Sequence, residues 1–282
     1  MKTRAESTWL ILFLLCVIGV ASSVRADTEN AEESEDPWAS PVFSPVKANS
    51  GFAFHKETFI APASWSDDYN GDETEILAQL SVKVRLFKTR LFAAYTQKSF
   101  WQAYNTADSR PFRDTNHAPE LFYRMTPDNS RLVNWGFDVG AEHESNGQRI
   151  PESRSWNRIF FAPHYRWKRM VLYGQVWYRI SEDECAKRAP GCDDNPDITD
   201  FLGYGKVDFY LQLSEASKPQ LMHVMVGGNA ATGKGRASVS YSFPGKSKDL
   251  FWYVRAYHGY GESLLDYNRS ITRVGLGFSF TR

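Results

Sequence analysis

Residues 80–86 have the sequence LSVKVRL, in which apolar and polar side chains alternate without a break. Because successive side chains of a strand point to opposite faces, the apolar residues share one face, and Ser81, Lys83 and Arg85 share the other. Residues 201–213 show the same alternation along most of their length. The pattern predicts strands that separate a polar environment from an apolar one.

The alternation recurs along the chain between clusters of Gly, Asn, Asp and Pro. Further strands are predicted at 90–101, 116–126, 131–146, 153–167, 169–180, 220–229, 235–243, 249–260 and 269–281. A weaker candidate near 50–58 brings the predicted number of strands to twelve.

The connections between these strands differ in length. Tight turns at 87–89 and 167–169 contrast with long polar connections at 102–115, 181–197 and 261–268. Short turns at one rim and long loops at the other are typical of outer-membrane barrels with strands of about ten residues. We therefore expect an all-β fold, a twelve-stranded antiparallel transmembrane β-barrel. The alternation alone leaves a soluble β-sandwich open.

Composition narrows the classes of partner and of membrane segment. The 33 basic and 33 acidic residues cancel, so nothing indicates a nucleic-acid partner. Aromatic residues make up 15% of the chain, which suits membrane interfaces but also an aromatic-rich soluble protein. Beyond the N-terminus no segment has about 18 consecutive apolar residues, so any membrane span must come from a barrel.

The N-terminus resembles a secretory signal. Lys2 and Arg4 precede an apolar stretch at 9–20 that is too short for a spanning helix, and residues 24–26, VRA, fit a cleavage site. We expect residues 1–26 to be a signal peptide, with an uncleaved anchor as the alternative.

The rest of the chain then divides in two. Residues 27–50 are acidic and afterwards rich in Pro and Ser, which predicts a flexible periplasmic extension. Residues 51–282 would form the barrel.

Two cysteines remain in this mature chain, Cys185 and Cys192, within one polar segment. Export to an oxidising compartment favours a disulfide between them over a metal site, since no His lies nearby.

The stretch with most chemical content covers residues 135–167 and contains two strands. On the first strand, His143 and Ser145 continue the apolar face. On the second, Asn157 does the same. Side chains two residues apart on a strand lie about 7 Å apart on one face, so a His and a Ser can form a base–nucleophile pair. The alternative is that these residues merely end a lipid-facing belt near water.

Five blocks of sequence carry a family resemblance. They are YTQKSFWQ (95–102), RPFRDTN (110–116), HESNGQRIPESRSWNR (143–158), DDNPDIT (193–199) and HGYGESLLDYN (258–268). In this order and spacing, over about residues 75–282, the chain resembles the outer membrane phospholipase A family. The resemblance implies a twelve-stranded barrel in the bacterial outer membrane with a catalytic triad on its outer face.

In that family pattern Ser145 is the nucleophile, His143 the proton acceptor and Asn157 the residue that orients His143. The resemblance also implies Ca²⁺ as cofactor, phospholipids and lysophospholipids as substrates (A1/A2 type), and activity as a homodimer within outer-membrane lipid. Gln97 and Trp101 match the dimer contact. For Gln97 the alternative is a polar residue that faces the lumen.

The calcium ligands implied by the resemblance are Ser153, the backbone carbonyl of Gln148, and Ser109 of the partner subunit. Asp194 matches a further calcium-related position. Its usual acidic companion is Ile150 in this chain, so a second calcium site is not indicated.

Two rival functions stay open at this point. One is a non-catalytic barrel, either a porin-like channel or a structural protein. The other is a lipopolysaccharide deacylase, which also uses Ser and His. The intact triad argues against the first, and the calcium and dimer positions favour a phospholipase over the second.

Overall fold

The structure is a computed structural model that describes residues 51–67, 74–87, 89–126, 134–182, 192–214, 220–245 and 250–280. The expected signal peptide, residues 1–26, and the expected extension, residues 27–50, lie outside the described residues.

The described residues form thirteen strands and one short helix. They are β1 (Phe52–Phe54), β2 (Phe59–Ser66), β3 (Thr74–Leu86), β4 (Leu91–Trp101), β5 (Phe112–Met125), β6 (Trp135–Ser145), β7 (Ser155–Trp167), β8 (Met170–Ile180), α1 (Ile198–Leu202), β9 (Gly205–Gln212), β10 (Leu221–Asn229), β11 (Lys234–Pro244), β12 (Phe251–Gly259) and β13 (Ile271–Ser279). Among these residues, no helix is long and apolar enough to cross a membrane.

Strands β2 to β13 form a closed ring. Each strand pairs with the strands before and after it in the chain, and β13 pairs back onto β2. Every one of these pairings is antiparallel. The expected twelve-stranded barrel is confirmed. Closure removes the unpaired strand edges that a bilayer does not tolerate.

The first strands of the barrel differ from the prediction. In place of one strand near 50–58, β1 and β2 lie end to end along the same side of β3, and residues 55–58 between them leave the sheet. The sequence FHKET breaks the period-two pattern because its charged side chains turn into the lumen. The prediction also missed the first half of β3, which begins at Thr74.

A second difference lies before β9. Residues 201–204, predicted as part of a strand, belong to α1 and the turn that follows it. Ile198, Phe201 and Leu202 have helical spacing and are all buried, which explains why the chain is helical here. Within β9 the predicted alternation holds, since Asp208 is buried and Val207 is exposed.

The two faces of the barrel wall are as the alternation predicts. Ser81 and Lys83 are 0% and 2% exposed because they point into the lumen, whereas Leu80 is 48% exposed on the outside. Arg124 and Asp138 form a lumenal ion pair with two hydrogen bonds of 2.8 and 2.7 Å. Pairing of this kind is what permits charges to be buried.

Residues 55–58 form a crossbar inside the lumen. Lys56 forms ion pairs with Glu120 of β5 and, at 3.5 Å, with Glu142 of β6. Glu57 reaches the other side, where it lies 3.3 Å from His223 of β10 and accepts a hydrogen bond from Ser240 of β11. The crossbar therefore joins two separate parts of the wall. A cavity of about 210 Å³ lies beside it.

The rim with the long loops is closed by α1 and by the loop between β12 and β13. Glu262 of that loop is buried and bonds Arg255 at 2.6 Å and Arg273 at 2.7 Å. Burial alone would raise the pKa of Glu262, but Arg255, Lys98 and Arg273 lower it to about 2. Tyr267 of the same loop packs against Phe201 of α1.

Candidate active site

The candidate site lies on the outer face of β6 and β7. In this antiparallel pair His143 is opposite Asn157, and Ser145 is opposite Ser155. Between them, Trp156 is buried towards the lumen, where its ring nitrogen donates to Glu144 Oε2 over 3.0 Å. The odd-numbered residues therefore point outwards, as the alternation predicts.

The His143 ring is fixed by Asn157. Its Nδ1–H donates to Asn157 Oδ1 over 2.9 Å. Because an amide oxygen can only accept, the hydrogen of a neutral His143 ring must sit on Nδ1. The other ring nitrogen, Nε2, then carries a lone pair and can accept a proton.

Ser145 lies on the same face, two residues further along β6. Its neighbours across the ladders are His117 of β5 and Ser155 of β7. Within the described part of the chain its hydroxyl has no hydrogen-bond partner. Catalytic hydrogen bonds are often long without substrate and tighten on binding. The structure thus joins His143 to Asn157 and places Ser145 beside them.

A fourth residue at this site was not predicted from the sequence. Asn157 Nδ2 donates to Glu182 Oε1 over 2.8 Å. Glu182 follows β8, whose last residue Ile180 is the cross-strand neighbour of Asn157. It falls in a long polar connection, where sequence alternation gives no position. The only usable signal is an acidic residue two positions after the end of β8, the strand that neighbours β7.

Two of the expected calcium ligands are in contact. Ser153 Oγ donates to Asp194 Oδ2 over 2.5 Å, and Asp194 is only 8% exposed. The loop that holds Ser153 is organised by Asn146, whose side chain bonds the backbone of Gln148 at 3.3 Å and of Arg154 at 2.9 Å. A carboxylate and a hydroxyl in contact are oxygen donors of the type that calcium prefers.

The described residues contain no cluster of three His, Cys, Asp or Glu side chains placed to bind a metal. A calcium ion at Asp194 would therefore also need hydroxyl, carbonyl or water oxygens. The residues present fit that requirement, because Ser153 touches Asp194 and Gln148 is exposed in the same loop. Ile150 is exposed there as well and offers no side-chain oxygen.

The segment after Cys192 fastens this loop to β7 and β8. Ser155 N–H donates to Asn195 Oδ1 over 3.0 Å, and Arg179 forms two bonds of 2.7 Å with Asp193. Cys192 is disulfide-bonded. Its expected partner, Cys185, lies outside the described residues, so the pairing stays a prediction.

Ser109, expected to act from the partner subunit, lies in the loop between β4 and β5. It is exposed and has a positive φ of 61°. Its role as a ligand stays a prediction.

Gln97 belongs to a polar patch on the outer face, so the alternative of a lumenal residue is excluded. It accepts a hydrogen bond from Tyr95 over 3.3 Å and donates to Ser99 over 3.2 Å. Tyr95 also contacts His117 Nδ1 at 2.6 Å. Trp101, at the end of β4, stacks on the aromatic ring of the first β5 residue. The patch extends from β4 through His117 of β5, which is the cross-strand neighbour of Ser145 on β6.

The phospholipase A1 family model matches residues 36–280 of the chain. A phospholipase A1 of Salmonella typhimurium is 37% identical over 233 residues, which cover 77% of this chain and 73% of the relative. A relative from Neisseria meningitidis serogroup B is 39% identical over 218 residues, 74% of this chain. The match covers 54% of that relative, so the chain spans about half of its length.

Two solved structures have the same barrel. Outer membrane phospholipase A from Escherichia coli superposes with a TM-score of 0.72 and 31% identity, over 82% of this chain and 91% of that chain. The Salmonella typhi outer membrane phospholipase, a dimer with bound calcium, gives 0.72 and 32%, over 82% and 92%. The chain belongs to the phospholipase A1 family, and its fold is that of the outer-membrane phospholipases.

Proposed function

We propose that the chain hydrolyses acyl ester bonds of phospholipids and lysophospholipids with a Ser145–His143–Asn157 triad, using Ca²⁺ and acting as a dimer. The observation that carries the proposal is the 2.9 Å bond from His143 Nδ1 to Asn157 Oδ1 on the outer face, beside Ser145. Polar groups on a lipid-facing surface are costly unless they are paired or functional.

The first half of the reaction forms an acyl-enzyme. Ser145 Oγ attacks the ester carbonyl carbon, and His143 Nε2 takes the hydroxyl proton. The bond from this carbon to the glycerol oxygen then breaks, and His143 returns the proton to the departing oxygen. Asn157 accepts the Nδ1 hydrogen throughout, so that Nε2 is the nitrogen that takes up the proton and returns it.

The second half releases the fatty acid. A water molecule attacks the acyl carbon while His143 takes one of its protons. The bond to Ser145 Oγ breaks, the proton returns to this oxygen, and the fatty acid leaves. The enzyme ends each turnover with the protonation state in which it began.

Calcium would be held by Ser153 Oγ, the Gln148 carbonyl, Asp194 and Ser109 of the partner subunit. When bound, a calcium ion supplies positive charge that polarises the carbonyl and stabilises the oxyanion. The contact between Ser153 and Asp194 supports this set. So does the relative from Salmonella typhi, which is a dimer with bound calcium.

The dimer has a physical rationale in the shape of the site. A triad on the outside of a barrel is bordered by protein on one side only. The Gln97 patch beside it places amide and hydroxyl groups against lipid. A second barrel would cover this patch and form an acyl-chain cleft between the two apolar faces.

The rival porin-like function is disfavoured by the crossbar, which ties two separate parts of the wall together across the lumen.

The test is an assay of fatty-acid release by refolded barrel, with phosphatidylcholine in detergent micelles and calcium varied. Calcium-dependent release that disappears in Ser145→Ala supports the proposal. Release from lipopolysaccharide but not from phospholipid would instead identify the deacylase.

For the exported protein we propose that the signal peptide is cleaved after residue 26. N-terminal sequencing of the mature protein, purified from outer membranes, would check the cleavage site.

A further inference from the structure

We infer that Glu182 is a positioning residue that acts on His143 through Asn157, so that the triad has a fourth member. The inference rests on the proposed function, because it needs the triad to be catalytic. The Asn157 amide lies between two partners, with Oδ1 at 2.9 Å from His143 Nδ1 and Nδ2 at 2.8 Å from Glu182 Oε1. The chain of contacts runs from β6 through β7 to the end of β8.

The first consequence concerns the direction of the amide. If the Asn157 amide were flipped, its NH₂ group would face His143 Nδ1 and would force the ring hydrogen onto Nε2. A ring in that state cannot accept the Ser145 proton. An ionised carboxylate only accepts hydrogen bonds, so Glu182 holds the NH₂ end on its own side. It thereby fixes the productive tautomer of His143.

The second consequence concerns charge. Asn157 is neutral, so by itself it offers only a dipole to the imidazolium that forms when Ser145 loses its proton. A bond from an amide to a carboxylate is stronger than a neutral one and polarises the amide further. Glu182 therefore supplies, through Asn157, negative charge that stabilises the protonated ring.

Among the described residues near the triad, Glu182 is the carboxylate suited to this role, because the other charged groups nearby point elsewhere or have other partners. On the outer face, β5 contributes His117, which is bonded to Tyr95. Glu142 and Glu144 of β6 point into the lumen, where both pair with Arg158 of β7. None of these carboxylates contacts the Asn157 amide.

The experiment compares two variants of the full barrel. Glu182→Ala removes the acceptor, and Glu182→Gln keeps a carbonyl acceptor but removes the charge. Asp200→Asn is the matched control, because it removes an exposed acidic charge from α1 at the same rim. Each variant is assayed for kcat and KM on micellar phosphatidylcholine over pH and over calcium. The heat-modifiable gel mobility of the folded barrel confirms folding.

We expect kcat to fall about 20-fold in Glu182→Ala and about 3-fold in Glu182→Gln, with KM nearly unchanged. Loss of the charge disfavours the protonated ring, so the acid limb of the kcat/KM profile of Glu182→Gln should move to lower pH by roughly half a pH unit. A purely structural residue would not move this limb. Asp200→Asn should match the wild type in all three readouts.

Unchanged kcat in folded Glu182→Ala would overturn the inference. So would a change confined to the calcium concentration for half-activation, because Glu182 would then be a calcium ligand. Ser145→Ala separates this result from failure of the proposed function. If Ser145→Ala is inactive and Glu182→Ala is fully active, only the role of Glu182 is lost. If Ser145→Ala is active, the triad itself is wrong.

Discussion

His143 of β6 and Asn157 of β7 are direct cross-strand neighbours, and they are joined by a hydrogen bond on the outer face of the barrel. A slip of the β6–β7 register by one residue would turn one of these residues towards the opposite face and break the pair. The loop between β6 and β7 helps to prevent such a slip, because the Asn146 side chain at its start bonds the backbone of Gln148, Glu152 and Arg154 further along it. The geometry of the proposed triad is thus tied to strand register.

Removal of triad members should reduce turnover to different extents. Ser145→Ala and His143→Ala should each lower kcat by about 10³-fold or more, because one supplies the nucleophile and the other the base. Asn157→Ala should lose about 10- to 100-fold, because it only orients the ring. Initial rates of fatty-acid release from refolded variants measure this. Equal losses in all three folded variants would contradict the division of roles.

Calcium dependence should weaken in a graded way when its expected ligands are changed. Ser153→Ala removes one oxygen and should raise the calcium concentration for half-activation by about 10-fold, with a similar effect for Asp194→Asn. Excess chelator should abolish activity in the wild type. A calcium titration of initial rates measures both effects. An unaltered half-activation concentration in both folded variants would move the calcium site elsewhere.

The sequence was most informative where side chains alternate. The outward direction of His143, Ser145 and Asn157 follows from parity alone, because a closed barrel wall keeps the period of two. The same argument explains the lumenal position of Ser81 and Lys83. Each of these positions was predictable because neighbouring strand residues fix it.

The rest of the fold and of the site depends on contacts between distant parts of the chain. The crossbar breaks the period because its charges pair with Glu120 of β5 and His223 of β10, partners that become neighbours only when the barrel closes. Glu182 was missed for the same reason, since its position is set by the long connection after β8. Ser153 and Asp194 were each expected as calcium-related residues through family resemblance, but their contact was not predicted, because it depends on where the connection after β8 lies.

The predicted disulfide should affect stability more than chemistry. We expect thiol labelling of the unreduced, unfolded mature protein to find no free thiol at Cys185 or Cys192. Reduction should leave most of the activity, because Arg179 still holds the segment through Asp193. Two free thiols before reduction would refute the pairing.

The outer polar patch should control association. Gln97→Ala removes the side chain that bonds Tyr95 and Ser99, and should weaken the dimer by about 1 kcal/mol if the amide pairs across the interface. Cross-linking yield and activity should fall together over a dilution series with calcium present. Val226→Ala is the control, because it shortens an exposed side chain on the outer face of β10, away from the patch. Full activity in a strictly monomeric preparation would exclude the dimer.

The ion pairs beneath the long-loop rim should make stability depend on pH. Glu262 is buried between Arg255 and Arg273, and Glu262→Gln would leave these two guanidinium groups with less compensating charge. Loss of a partner from a buried ion pair costs about 3 kcal/mol of the free energy of unfolding. Arg273 retains a contact of 2.9 Å with Glu75, so the barrel should still fold.

The sign of the pH effect follows from the pKa of Glu262. Its pKa in the folded barrel is lowered from 4.5 to about 2, so its stabilisation is complete above pH 4.5 and is lost as the pH falls towards 2. The difference between wild type and Glu262→Gln in urea unfolding should therefore be full at about pH 6 and smaller at about pH 3. Asp200→Asn, an exposed carboxylate of α1, should show little difference at either pH. A wild-type advantage that stays constant between the two pH values would show that Glu262 does not stabilise the barrel through its charge.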